Sequence, residues 1–371
     1  MDNAAARPPS TIAEALAGLS INDNRAFEIR GTTTAGQGVF ARCRIGLHET
    51  IANIPYPVST SINFECLDTT CYSCLISAKV HRGRLGPPGT PMSLKRCGGC
   101  DMVWFCNKEC QARAWHAYHK HECKLFKRHG NSFEQHIVRA FMRPLVLRNK
   151  GAITEQQWQE IMSLVSHQDR FDVEDTEDKF TRLVAKRCRL VIDMIQRLTK
   201  STMDTTEARK LFYIIKTNQM ELITSTFGHI GLFMDPLLSK FNHSCDPNVM
   251  VHRPYGTMSQ HWLNKKENTI DDRCPFGVII PPRDIEEGEE LCVSYENLTF
   301  SVEERNAKFK RSYFFECTCN FCISDRAAAL KYKEENPSSS RSIANGCLVS
   351  SAYHMILSLP QECCKDTRQL D

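Results

Sequence analysis

Residues 96–123 read RCGGCDMVWFCNKECQARAWHAYHKHEC, and Cys71-Tyr72-Ser73-Cys74 stand ahead of them. Four ligand pairs occupy this window: Cys71-x2-Cys74, Cys97-x2-Cys100, Cys106-x3-Cys110 and His119-x3-Cys123. Ligands two or three residues apart are what a tight turn or one helical turn can aim at a single metal, and two tetrahedral zinc sites need eight sulfur or nitrogen ligands between them. Seven cysteines and one histidine supply that number without remainder. His116 and His121 flank the same segment; the x3 spacing to Cys123 favours His119, with His121 as the competitor. Zinc held on all four sides by protein contributes folding free energy and no chemistry. The window is therefore a folded module and not itself an enzyme.

The chain around it has 371 residues, several times the size of a zinc module, which predicts two or three domains. Hydrophobic residues at 42% and charged residues at 24% leave ample apolar material for a core and argue against global disorder. No apolar run is long enough to cross a membrane, and the first residues, MDNAAARPPSTIAEALAGLS, lack the basic-then-apolar pattern of a signal peptide. The expectation is a soluble intracellular chain of the nucleus or cytoplasm, without a membrane partner and monomeric. Its 19 cysteines then read as metal ligands and not as a disulfide framework, because those compartments keep thiols reduced. The net charge of +4 is unevenly spread: residues 79–150 carry 15 Lys or Arg against 4 Asp or Glu, so +11 there and −7 elsewhere. Such a stretch attracts nucleic acid or acidic protein, or is simply a solvated face. No recognition helix or base-reading pattern stands out, so nucleic acid is the weaker of these partners.

Residues 1–25 read as a flexible leader, with one short helix at Thr11 to Leu19. From Phe27 the pattern turns to short β-type runs punctuated by glycine: FEIRG, TTTAGQGVFA and a stretch ending in ETIANIPYPVST. After the cysteine-rich window, apolar residues at helical spacing run from Phe133 to Arg148, Lys179 to Leu198 and Glu207 to Met220, with an acidic, exposed connector FDVEDTEDKF between them. Beyond Glu221 come short apolar runs with Pro and Gly turns, a second β unit. A charged helix-like stretch SVEERNAKFKRS, the cluster FFECTCNFC and a helix-patterned tail with a Ser-rich hinge follow.

Outside the zinc window the informative stretch is FNHSCDPN (241–248), followed by GEELCVSYEN (288–297) and Cys317-Thr318-Cys319-Asn320-Phe321-Cys322. Singly each is weak: C-x-C-x2-C gives only three of the four ligands zinc prefers. In order, GQGVFA (36–41), NHSC, GEELxxxY and CxCxxC resemble the SET domain, and the window 71–123, with Trp104-Phe105 before Cys106 and HKHEC at its end, resembles the MYND zinc finger. The combination is similar to the SET-and-MYND protein-lysine methyltransferases over about Phe27 to Cys322.

The resemblance implies an α+β fold: small SET-type β-sheets with a threaded NHSC core, split by a MYND finger and a helical insert, and closed by a cysteine-rich post-SET cluster. It divides the chain into a first part of the SET domain (26–66), the finger (67–123), a helical insert (124–217), the SET core (218–300), the post-SET cluster (301–325) and a short helical tail (326–371). It implies cross-braced zinc ligation, Cys71, Cys74, Cys106 and Cys110 on one ion and Cys97, Cys100, His119 and Cys123 on the other. A third zinc falls to Cys245 with Cys317, Cys319 and Cys322. For the cofactor S-adenosylmethionine it assigns Gly36, Gln37 (backbone only) and Gly38 to the methionine end, Asn218, Asn242 and His243 to further contacts, Phe315 to a stack on the adenine, and Tyr295 to the cofactor and the catalytic position. The implied activity is methyl transfer to lysine on a histone or other protein, with the finger binding a proline-rich peptide. The other class is a catalytically silent MYND adaptor or chromatin-associated binder. The resemblance thins at the end, where only 49 residues follow Cys322, too few for the large helical domain of the bigger relatives.

Overall fold

The computed structural model describes residues 26–335 apart from 33–35, 55, 76–77, 79–92, 134, 174–175, 225–227, 253–262, 265–268 and 271–276. The expected leader, part of the basic stretch and the tail beyond residue 335 lie outside the described residues. Cα packing divides the chain into two units, one built on Ile54–Ser239, the other drawing together Ile21–Asn53, Lys240–His252 and the chain from Val278 onward. Among the described residues no helix is long and apolar enough to cross a membrane.

The second unit is mostly sheet. Strand Phe27–Gly31 pairs antiparallel with Gln37–Ala41, with Phe27 opposite Ala41 and Gly31 opposite Gln37. Gln37–Ala41 then pairs antiparallel with Glu290–Val293 through Phe40 and Val39. Glu290–Val293 pairs in parallel with the two-residue strand Asn242–His243, Cys292 facing Asn242 and Val293 facing His243. This order puts the GQGVFA, NHSC and GEEL segments on adjacent strands although some 200 residues separate the first two. Val39, Leu291 and Phe241 are fully buried beneath them. The helix Val302–Ser312 begins with a capping box in which the Ser301 hydroxyl accepts from the Glu304 N–H and the Glu304 carboxylate accepts from Ser301 N–H. Its buried face is carried by Val302, Arg305, Asn306 and Phe309.

The first unit is mostly helical. His136–Asn149, Glu155–Met162, Lys179–Thr199 and Thr205–Asn218 are helices. Asp178 and Asp204 cap the last two through side-chain oxygens that accept from the first-turn N–H groups. Val184, Ala185, Cys188, Val191, Ile192 and Ile195 give Lys179–Thr199 one buried stripe, the pattern the 3.6-residue period predicts. The connector before it is not uniformly exposed: Phe171 is fully buried and stacks on Tyr213 at 6.0 Å. Ser59–Ile62 pairs with Gly228–Met234, which pairs with Met220–Thr224, so these stretches fall in the same unit as the finger and helices. Ser59 and Ser61 hydroxyls donate to the Ala140 and His136 carbonyls at 2.7 and 2.8 Å, locking this sheet onto the His136–Asn149 helix.

Candidate functional site: three cysteine-rich clusters and a strand junction

Local geometry builds the finger. Lys95–Arg96 and Trp104–Phe105 form a short hairpin, closed by the Cys97 N–H donating to the Val103 carbonyl at 2.8 Å. Between them the Cys97–Cys100 knuckle turns through Asp101, whose φ of 55° is a left-handed conformation that Asp tolerates. Asn107 caps the Lys108–Ala114 helix by accepting from Cys110 N–H at 2.8 Å, which aims Cys110 back toward Cys106, 3.3 Å away sulfur to sulfur. A widened π-turn, Trp115–His119, joins this helix to Lys120–His129 and carries His119 to the interior.

The ligand atoms of Cys71, Cys74, Cys106 and Cys110 all lie within 4.8 Å of one another, and so do those of Cys97, Cys100, His119 and Cys123. Sulfurs 2.3 Å from a tetrahedral zinc stand roughly 3.8 Å apart, far longer than the ~2.05 Å of a disulfide. Cys74 to Cys106 at 3.7 Å and Cys97 to Cys123 at 3.9 Å match that edge, and the fifteen described cysteines are free thiols. The cross-braced pairing is the one observed. His119 Nε2 stands 3.4 Å from Cys97 and 3.7 Å from Cys100, whereas His121 is outside the group, which settles the choice between them.

Behind His119 lies a buried polar network that spacing alone did not reveal. Glu122 is 1% exposed and its Oε2 stands 3.7 Å from His119 Nδ1. The Arg143 Nε donates to Glu122 Oε1 at 2.6 Å, Tyr72 OH donates to Glu122 Oε2 at 3.0 Å, and Arg143 Nη2 donates to Tyr72 OH at 2.8 Å. Burial alone would push the Glu122 carboxyl up, but the Arg143 charge and the His119 contact reverse this and hold it at about 2. Carboxylates behind a ligating imidazole fix its tautomer and orientation. Arg139, buried like Arg143, donates to the Phe133 and Ile62 carbonyls. Two charges of the basic stretch are thus internal, and its surface field is weaker than +11 suggests.

The third group sits in the second unit. Cys245, Cys317, Cys319 and Cys322 place their sulfurs within 4.8 Å of one another, with Cys245 to Cys322 at 3.4 Å. Asn306 and Arg305, on the helix before the cluster, donate to Cys322 at 3.9 and 3.8 Å, and Cys317 N–H donates to Asn306 Oδ1 at 2.7 Å. Arg305 is itself held by Asp325 at 2.7 Å. Four thiols with cationic and amide donors around them suit zinc, whose ligands must be thiolates.

The cluster connects directly to the strand junction. Tyr295 N–H donates to His243 Nδ1 at 3.0 Å, so Nε2 bears the imidazole proton and lies 3.2 Å from Cys245 Sγ. Burial pushes His243 down to about 4, keeping the ring neutral. Tyr295 OH donates to the Phe241 carbonyl at 2.7 Å. Burial, with smaller contributions from Tyr313, Cys292 and Glu290, raises the phenol well above its usual range. His243, Phe309, Tyr313 and Phe315 surround it: His243 to Tyr295 5.2 Å, Tyr295 to Tyr313 5.0 Å, and Phe309 stacked on Phe315 at 5.1 Å.

On the other side of Asn242 is the glycine turn. Gly36 has φ of 76°, and Gly38 has no room for a side chain: a Cβ there would stand 2.4 Å from Glu290 Oε1, 2.9 Å from Thr32 Cγ2 and 3.0 Å from Asn242 Nδ2. Asn242 Nδ2 donates to the Gln37 carbonyl at 2.9 Å. Gly36, Gln37, Gly38, Asn242, His243, Tyr295 and Phe315 are therefore joined by one chain of contacts. Asn218 is in the first unit, where its amide donates to the Val165 and Ile214 carbonyls at 2.7 and 2.8 Å. Glu290, Tyr313 and Phe309 line the same junction and had escaped the sequence reading. For Tyr313 and Phe309 the available signal was aromatic spacing ahead of Phe315; Glu290 had only its place in GEEL.

The MYND finger family model matches residues 71–123. The chain is 27% identical over 233 residues to SET domain and MYND-type zinc finger protein 6 of Schizosaccharomyces pombe, covering 62% of this chain and 41% of that protein. It is 28% identical over 236 residues to histone-lysine N-methyltransferase SMYD3 of Homo sapiens, covering 62% and 49%. The chain thus spans less than half the length of these two relatives. Superposed on the solved structure titled "Crystal structure of the SET domain of LSMT bound to Lysine and AdoHcy", it gives a TM-score of 0.34 at 13% identity, covering 79% of this chain and 53% of that one, too loose a likeness to build on. With its finger at residues 71–123 and the NHSC, GEEL and CxCxxC segments assembled in one unit, the chain is similar to the SET-and-MYND proteins it matches over part of their length.

Proposed function

We propose that the chain is an S-adenosylmethionine-dependent protein-lysine N-methyltransferase. The observation that carries the reading is the junction where Gly38, Asn242 and Tyr295 meet on three neighbouring segments, closed by His243 and Phe315 and tied to a four-cysteine clip. When bound, S-adenosylmethionine supplies an electrophilic methyl group on a sulfonium.

Each residue's part follows from its geometry. The missing side chain at Gly38 lets Glu290, Thr32 and Asn242 close in on the glycine turn, and Asn242, bonded to the Gln37 carbonyl, would stand at the methionine end. Phe315 offers one ring face to an adenine, its other face being stacked on Phe309. Tyr295 has committed its proton to the Phe241 carbonyl, so its oxygen acts as an acceptor. It would accept an N–H from a neutral lysine amine and turn the nitrogen lone pair toward the methyl carbon, which is catalysis by alignment. With its phenol raised by burial, Tyr295 stays neutral at physiological pH and is not a base. An apolar ring of Tyr313, Phe309 and Phe315 would desolvate the amine and favour its uncharged form. The clip holds this wall through Cys245 and His243.

The substrate is a protein presenting a lysine. The finger contributes structure and, through the 43%-exposed Trp115, an aromatic surface suited to a proline-rich segment. The test is transfer of labelled methyl groups from S-adenosylmethionine to a protein array by the zinc-loaded chain, with Tyr295→Phe as control. Transfer by the wild type, lost in Tyr295→Phe with cofactor binding retained, is the expected result. Cofactor binding with no transfer to any protein counts against it and leaves the binding-module reading.

A further inference from the structure

The helix Lys179–Thr199 carries a second apolar strip on the side away from its buried stripe, which centres on Cys188 and Ile195. Leu183 and Leu190, two turns apart, are each 59% exposed, although leucine is among the residues most often buried. With 3.6 residues to a turn the two fall within about 20° of one another around the helix, and the half-buried Met194 lies beside them. Lys186 borders this strip on one side and Arg187 on the other, and Arg182 and Arg189 follow on the Lys186 side. All four are exposed, and none pairs with a carboxylate among the described residues, whereas Arg197 is answered by Asp193 one turn away. The helix as a whole has six Lys or Arg against one Asp, so +5.

Apolar anchors two turns apart on one line are what a second helix needs to lie alongside the first, and the charges beside such a seam set which partner fits. A frame of unpaired cations selects a frame of carboxylates. We propose that the outward face of Lys179–Thr199 docks an amphipathic helix of a partner protein whose apolar stripe is flanked by Asp or Glu. This helix belongs to the first unit, and docking on it is a function separate from methyl transfer. Other occupants match the face less well. A second copy of the same helix would set +5 against +5. The chain's own tail offers LVSSAYHMILSL (348–359), without one acidic residue, and TIAEALAGL (11–19) in the leader has Glu14 alone. An anionic membrane would answer the cations, but a helix lying in the lipid interface inserts a broad apolar face, and the broad face of this one is already spent on the core.

Fluorescence anisotropy on the full zinc-loaded chain tests this with two labelled helical peptides that share one leucine stripe, flanked by Glu in the first and by Lys in the second. The wild type is expected to bind the Glu peptide, more weakly as salt rises, and to leave the Lys peptide free. Leu183→Ala with Leu190→Ala should weaken the Glu peptide about 10- to 100-fold, through the apolar area lost from two side chains. Lys186→Gln with Arg187→Gln should weaken it about 3- to 10-fold and flatten the salt dependence. Thermal unfolding and zinc content stay at wild-type values in both variants, since the four replaced side chains are exposed. A wild type that ignores the Glu peptide, or binds the Lys peptide equally, overturns the proposal. Undiminished binding by the leucine variant overturns it too, because charge alone is then the attraction. Retention on phosphatidylcholine–phosphatidylserine vesicles that disappears in the leucine variant, or a dimer in sedimentation velocity that does so, assigns the face to a membrane or to a second copy and equally overturns it.

Discussion

Replacing Arg143 by Met should destabilise the finger more than any single surface change. Arg143 is 2% exposed and Glu122 1%, with the guanidinium Nε 2.6 Å from the carboxylate. Met preserves much of the stem's packing but leaves a buried carboxylate with only Tyr72 OH and the His119 ring to answer it. Breaking a buried pair from one side costs about 3–5 kcal/mol, since the surviving charge keeps its desolvation penalty. That is roughly a hundred- to several-thousand-fold in the unfolding equilibrium. Removing both charges, as Glu122→Gln with Arg143→Met, should recover most of the loss, because two neutral groups need no mutual compensation. The assay is denaturant unfolding followed by tryptophan fluorescence at a fixed, buffered free-zinc concentration, since zinc stabilises the folded state by mass action. Wild type, two single variants and the double variant close a double-mutant cycle. A single-variant cost below about 1 kcal/mol, or a double variant no better than Arg143→Met, would refute the reasoning that this pair is desolvated and mutually dependent.

Three other outcomes follow from the same geometry. Gly99→Ala should loosen the second zinc, measured by chelator competition, because its Cβ would stand 2.8 Å from Cys123 Sγ, whereas Gly98→Ala, with nothing within 4 Å, should leave affinity unchanged. Gly38→Ala should abolish S-adenosylmethionine binding by calorimetry while zinc content stays at the wild-type level, since its Cβ has no free space at the strand junction. Methyl transfer should rise from pH 7 to 9 as the substrate lysine, with an ordinary pKa near ~10.4, loses its proton. Tyr295, its phenol raised by burial, stays neutral over that range, so Tyr295→Phe should lower the rate at every pH without moving the profile's midpoint.

Much of the finger was legible because metal spacing is a local property. A turn or one helical turn sets how far apart Cys97 and Cys100, or Cys106 and Cys110, can aim, and chain order shows it directly. The helices Lys179–Thr199 and Thr205–Asn218 announced themselves by their apolar period, which is local as well. The grouping of segments was not legible in the same way. Ser59–Ile62 finds its partner at Gly228–Met234, far along the chain, and no periodicity encodes which strand pairs with which. Phe171 sits in a stretch that reads as acidic and exposed, yet tertiary packing against Tyr213 buries it.

The sequence by itself determined which residues were able to ligate zinc, because donor chemistry and short-range spacing are written into the covalent chain. It left open whether His119 or His121 entered the second site. Only the tertiary structure decided that, since the π-turn Trp115–His119 and the hairpin bearing Cys97 and Cys100 together fix where an imidazole can reach. It also decided the environments of charges. Glu122 and Glu290 are both glutamates in polar stretches of sequence, but folding gives the first a buried arginine and the second the Asn242 amide, with no Lys or Arg partner among the described residues. Desolvation and charge pairing depend on segments brought together from distant parts of the chain.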